Sequence, residues 1–215
     1  LRASVLGAND GIVSVSSLIV GVAAADPYPR AILVAGAAGL AAGAMSMAAG
    51  EYVSVSSQSD IEHADIAREK QALIDTPEEE EAELASIYQS LGLSPETAAL
   101  VARELTEVDA LGAHVRDELG LSEVHTANPL QAALASGLTF TAAAAFPLAA
   151  AILAPSDKVI PAVVITTLIC LAGLGALGAQ AGGAPKLPAT ARVLFWGAAA
   201  MAITAGVGRI FGVSV

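Results

Sequence analysis

The sequence predicts an all-α membrane protein, with five transmembrane helices and a three-helix cytoplasmic domain inserted between the second and third. Three observations carry that expectation. The chain has 215 residues, 55% hydrophobic and 14% charged, and its apolar residues fall in blocks long enough to cross a bilayer, about 20 residues each. Its charge is segregated: residues 57–126 hold all three histidines (His63, His114, His125), 17 of the 21 acidic residues and 4 of the 10 basic ones. Proline, glycine and Asx signals punctuate the apolar blocks where helices would have to stop and start. The expected division is 1–56 for transmembrane helices 1 and 2, 57–128 for a cytoplasmic acidic helical domain, and 129–215 for transmembrane helices 3 to 5.

The first span is expected from Val5 to Ala25. Asp26-Pro27-Tyr28-Pro29-Arg30 ends it, because two prolines in three residues cannot continue a helix. The second runs from Ala31 to Ser56 and meets no breaker, so the helix should continue through Gln58–Leu73 beyond the bilayer. Asp75-Thr76-Pro77-Glu78 is a helix start: a cap, proline in the first turn, then acids at the positive end of the dipole. Leu84, Ile87, Tyr88 and Leu91 give that helix an apolar face. Gly92-Leu93-Ser94-Pro95-Glu96 repeats the signal and opens a third soluble helix, to about Leu119, with a break expected near Gly112. Asn128-Pro129 opens the third span, Leu130–Leu153. Ala154-Pro155-Ser156-Asp157 turns the chain into the fourth, Val159–Gln180. Gly182-Gly183-Ala184-Pro185 separates that from the fifth, Ala189–Phe211.

Five spans put the two ends on opposite sides. Arg2, the four basic residues of the soluble block, Lys186 and Arg192 fall on one side, and Arg30, Lys158 and Arg209 on the other. The excess of Lys and Arg places the N-terminus and the acidic domain in the cytoplasm. Glycines four residues apart (Gly7/Gly11, Gly39/Gly43, Gly178/Gly182, Gly208/Gly212) suit close helix packing in lipid. Cys170 is the sole cysteine, so no disulfide forms within the chain, and packing is its expected role. The acidic balance argues against nucleic acid, whose phosphates demand Lys and Arg. There is no His-Glu-x-x-His, no Gly-rich phosphate loop and no serine nucleophile elbow, so no enzyme is expected.

Several acids carry chemistry. Asp10 sits near the start of the first apolar span, where a carboxylate in or near hydrocarbon costs roughly 2.5–3.5 kcal/mol and therefore normally faces a partner or a watery path; the alternative is an interfacial N-cap in the headgroup region. Met47 and Glu51 stand four apart on one helix face. A thioether and a carboxylate together suit a borderline cation such as Fe²⁺. In the acidic block, Glu80/Glu83 and Glu104/Glu107 stand at i, i+3, and His114/Glu118 at i, i+4. Such pairs bind a divalent cation when a second helix supplies further ligands, and otherwise form a solvated acidic face, the preferred reading for Glu78–Glu81. Asp60-x-x-His63 is half of a di-iron pattern whose second copy is missing.

Gly7-Ala8-Asn9-Asp10-Gly11-Ile12-Val13-Ser14, Ala42-Gly43-Ala44-Met45-Ser46-Met47 and Gly50-Glu51-Tyr52-Val53-Ser54-Val55-Ser56-Ser57-Gln58 resemble the vacuolar iron transporter family, in its bacterial and nodulin-like branch. The resemblance implies a homodimer that exports Fe²⁺, and also Mn²⁺, from the cytosol in exchange for protons, along a path lined by the first two spans. Asp10 and Met47 match the family's path residues. Glu69, then Glu80 and Glu83, then Glu118 match its cytoplasmic metal ligands, with His114 where the plant-type pattern has Met. Two positions depart from the pattern: Ala72 replaces a second Glu one turn after Glu69, and Gly39 replaces a membrane Glu two turns before Met47.

The resulting expectation is a multi-pass membrane protein without a prosthetic group, binding Fe²⁺ and Mn²⁺, with Zn²⁺ as a further candidate. Its location would be the bacterial plasma membrane, or the vacuolar membrane in a eukaryote. Asp10, Met47 and Glu51 form the transport path, and Glu69, Glu80, Glu83, His114 and Glu118 the metal site. The rival is a membrane-anchored metal sensor or buffer without transport, which would have no use for Asp10 and Glu51 inside apolar spans.

Overall fold

The computed structural model describes residues 2–25, 28–121 and 128–212. Among the described residues every regular element is helical: α1 (Arg2–Ala25), α2 (Pro29–Asp75), α3 (Pro77–Ser90), α4 (Pro95–Asp117), α5 (Pro129–Leu153), a 3₁₀ turn (Ser156–Lys158), α6 (Val159–Ala181) and α7 (Lys186–Gly212). Asp26, Pro27 and His125 lie outside the described residues. Five helices, α1, α2, α5, α6 and α7, are long and apolar enough to cross a membrane. The chain divides into two compact units, Leu1–Val53 with Pro129–Val215, and Ser54–Asn128.

In the first unit α1 is central and packs on α5, α6 and α7. Small residues make this possible. A Cβ on Gly7 would stand 2.5 Å from the Ser136 carbonyl oxygen, and one on Gly11 would strike that of Phe140. Gly208 and Gly212 meet the α1 backbone at Gly21 and Ala25 in the same way. Lipid supplies no hydrophobic drive between helices, so close backbone approach must supply the attraction. Phe140, 1% exposed, fills the centre with Val15, Ile19, Ala144, Val163 and Met201. Gly43 of α2 leaves room for its ring, and Gly39 leaves room for Leu18. The remaining pair, Gly178 and Gly182, behaves differently from expectation. Gly178 and Gly182 meet no neighbouring helix; they border a groove of about 610 Å³ between α1, α6 and α7. Ile165, Ile169, Phe195 and Trp196 are exposed, as lipid-facing side chains would be.

In the second unit α2 carries on without a break to Asp75. Pro77 opens α3, with Glu78, Glu79 and Glu80 in its first turn. Ser94 caps α4 by accepting the Thr97 N–H at 3.3 Å. Leu84, Ala85 and Tyr88 of α3 pack against Ala98, Ala102 and Ala113 of α4. Of the apolar face expected on α3, Leu84 and Tyr88 are buried and Ile87 is half-buried. Leu91 is 74% exposed, because it lies in the C-terminal cap, past the last turn that faces α4. The break in α4 comes at Asp109, three residues before Gly112.

Candidate metal sites

The first candidate site lies in the membrane-type unit. Asp10, Ser14, Val15 and Leu18 of α1 and Gly39, Gly43, Ser46 and Met47 of α2 line a cavity of about 170 Å³. Asp10 and Ser14 are one turn apart and share a face, as do Gly39, Gly43, Ser46 and Met47. The Ser14 hydroxyl donates to the Asp10 backbone carbonyl at 2.5 Å. The Asp10 carboxylate has no hydrogen-bond or ion-pair partner among the described residues. A carboxylate, two hydroxyls and a thioether thus face one small space. Gly39 contributes no side chain, so among the described residues Asp10 is the one ionisable group lining the cavity. Glu51 stands a turn beyond Met47, half-buried and outside the lining. The two serines were absent from the sequence-based set, although Ser14 is four residues from Asp10 and Ser46 adjoins Met47.

The second candidate site lies in the acidic unit. Glu69 of α2, Glu80 of α3, His114 of α4 and Glu118, which caps α4, each offer one ligand atom, and these atoms lie within 4.8 Å of one another. His114 is fully buried and Glu69 is 7% exposed. His114 Nδ1 stands 2.9 Å from Glu69 Oε1 and 2.8 Å from Glu118 Oε2. One ring nitrogen carries at most one proton. Nδ1 is in hydrogen-bond geometry with Glu118, while Glu69 Oε1 has no hydrogen-bond partner among the described residues despite its proximity. His114 Nε2 also has no partner among the described residues. Three carboxylates converging with one donor between them are short of positive charge. Burial pushes the Glu69 carboxyl above its ordinary range, and Glu118 pushes it further, against a lowering by His114; Glu80 and Glu83 add to the rise.

The cluster opens to solvent through a cleft of about 310 Å³ lined by Asp65, Arg68, Glu69, Ala72, Glu118 and Leu119. Ala72 contributes only a methyl group to this lining. Glu83 is exposed and stands outside the four-ligand group, although its charge is felt at Glu69. Glu104 and Glu107 are exposed, as are Asp60 and His63, and among the described residues neither pair is gathered with further ligands. Three carboxylates and an imidazole are hard to borderline donors, suited to Mn²⁺, Fe²⁺ or Zn²⁺.

The family model described as "VIT family" matches residues 1–209. The chain is 46% identical over 209 residues to a vacuolar iron transporter of Acanthamoeba castellanii, covering 97% of this chain and 77% of that protein. It is 40% identical to vacuolar iron transporter homolog 1 of Oryza sativa subsp. japonica, over 99% of this chain and 74% of the relative. It is 38% identical to vacuolar iron transporter homolog 2 of Arabidopsis thaliana, over 99% and 84%.

Proposed function

The chain belongs to the VIT family, an integral multi-pass family of transporters and not of enzymes, and from that premise we propose that it exports Fe²⁺ from the cytosol by proton antiport. The observation that carries this reading is Asp10, an unpartnered carboxylate facing Met47 across a cavity between two membrane-type helices. An anchor has no use for such a group, which lipid penalises. Mn²⁺ shares the size and charge of Fe²⁺ and is a second cargo, and the carboxylate-imidazole cluster would also take Zn²⁺.

The acidic unit lies in the cytoplasm by the distribution of Lys and Arg. There the cluster of Glu69, Glu80, His114 and Glu118 captures the cation, with Glu83 raising the local negative potential. The cation then passes Asp10 and Met47, with Glu51 a turn away. A proton arriving at Asp10 competes with the cation for the same oxygen atoms, which couples inward proton movement to metal release. The working unit is a homodimer. In support, α2 leaves Ala38, Ala41, Ala42, Met45 and Ala49 exposed along one side, a small-residue surface on which a second membrane helix could close. The plasma membrane of a bacterium, or a vacuolar membrane in a eukaryote, is the setting in which such export makes sense.

Reconstituted vesicles provide the test. Fe²⁺ or Mn²⁺ uptake should accelerate when a pH gradient is imposed in the antiport direction, and should vanish in Asp10→Asn. Metal binding without uptake in either condition would favour the sensor or buffer reading.

A further inference from the structure

The last part of α4 is a helix of its own. Asp109 leaves helical geometry (φ −162°, ψ 85°), and its Oδ1 accepts the backbone N–H of Gly112 at 3.0 Å. Extended backbone with a side-chain oxygen on the N–H three residues later is an N-cap. Gly112 belongs to the same device, because a Cβ there would collide with the Asp109 carboxylate. The far end is tied down as well. Buried Tyr88 of α3 donates to Asp117, and Arg116 donates to both Asp117 oxygens at 2.8 and 2.7 Å.

The break decides where His114 and Glu118 point. Ala98 and Ala102 face α3. On an unbroken helix, at 100° per residue, His114 would lie about 140° around the axis from those alanines and Glu118 about 180°. Both would then point away from α3, and Glu80 could not join them. With the break at Asp109, Ala113 still packs in the core while His114 is fully buried and both ligands reach Glu69 and Glu80.

We infer that Asp109 is a positioning residue for the metal cluster: its cap on Gly112 ends one helix, starts another, and turns His114 and Glu118 toward Glu69 and Glu80. The inference rests on reading that cluster as a metal site. Asp109 is exposed and is not itself a ligand.

The test is Mn²⁺ titration of the full-length protein in detergent, followed by calorimetry. Asp109→Ala should weaken Mn²⁺ binding about five-fold, which corresponds to the ~1 kcal/mol typical of a lost N-cap. Asp109→Ser, which can still cap, should restore affinity to within about two-fold of wild type. Gly112→Ala should also weaken binding, although alanine is the better helix former; a role confined to helix stability predicts the opposite. Wild-type affinity in both Asp109→Ala and Gly112→Ala, with binding lost in Glu80→Gln, would overturn this inference and leave the metal site standing. A loss in Asp109→Ser equal to that in Asp109→Ala would assign the effect to charge and overturn the cap. If the wild-type protein bound no Mn²⁺, the metal reading would fail and this inference with it.

Discussion

Glu69→Gln separates a metal ligand from a structural acid. The substitution keeps the shape of the side chain and removes one charge from the buried side of the cluster. Two unit charges 4.8 Å apart repel by about 3.5 kcal/mol at an effective dielectric near 20, and Glu69 faces Glu80 and Glu118 within that distance. Partial protonation and the nearby imidazole reduce the net penalty, so the metal-free variant should gain on the order of 1–2 kcal/mol. Its Mn²⁺ affinity should fall at least ten-fold, about 1.4 kcal/mol.

The pH dependence has a definite sign. The Glu69 carboxyl sits above its ordinary value of 4.5 in the folded protein, so between that value and the raised one the folded state holds a proton that the unfolded state has released. The metal-free protein should therefore become less stable as pH rises through the raised range and more stable as it falls toward 4.5. Glu69→Gln should flatten that slope. The assay is thermal unfolding in detergent with EDTA from pH 7.5 to 5, repeated with Mn²⁺. A metal-free variant less stable than wild type, yet still stabilised by Mn²⁺ to the wild-type extent, would refute the assignment and make Glu69 a structural acceptor for His114.

Three further outcomes follow from the geometry. Asp10→Asn should reduce vesicle Fe²⁺ transport at least a hundred-fold while leaving Mn²⁺ binding to the acidic cluster unchanged, measured by uptake and by titration on one preparation. Glu80→Gln should weaken Mn²⁺ binding ten-fold or more and Glu83→Gln less than about three-fold, because Glu83 acts only through its charge; equal losses would put Glu83 among the ligands. Gly208→Leu should lower the thermal midpoint, at a cost of about 1–3 kcal/mol or more, because a side chain there meets the Gly21 backbone. Gly206→Leu, which points into open space, should be tolerated.

The helices were legible in the sequence because their signals are local. Pro77 and Ser94-Pro95 start helices where expected, and the absence of a breaker after Ser56 makes α2 run on to Asp75. What depends on convergence was less legible. Glu80 and Glu83 are equivalent on paper, one turn apart, and only the meeting of α2, α3 and α4 includes one and leaves out the other. Nothing in spacing singles out Glu69 among the acids; only family resemblance did. The break in α4 was visible as Gly112, yet its cause is the capping aspartate three residues earlier. Gly178 and Gly182 show the converse: a packing pattern is present, but whether a helix lies opposite is a property of the bundle.

The two candidate sites differ in the direction a transporter requires. The cluster in the acidic unit offers three carboxylates and an imidazole, with Glu69 and His114 shielded from water. Such a set suits the gathering of a dilute cation, because a cation relieves its internal repulsion. The cavity at Asp10 offers one carboxylate, two serine hydroxyls and the Met47 thioether. A single charge holds a divalent cation far less tightly, and conduction demands sites from which the ion can leave. Had Gly39 been an acid, the cavity would carry two carboxylates, and a cation between them would be slower to go. With Asp10 alone, one proton is enough to neutralise the cavity. Gly39→Glu should therefore raise the affinity of the cavity for Mn²⁺ while slowing turnover in vesicles. Faster transport in that variant would show that the cavity is limited by capture of the cation and not by its release.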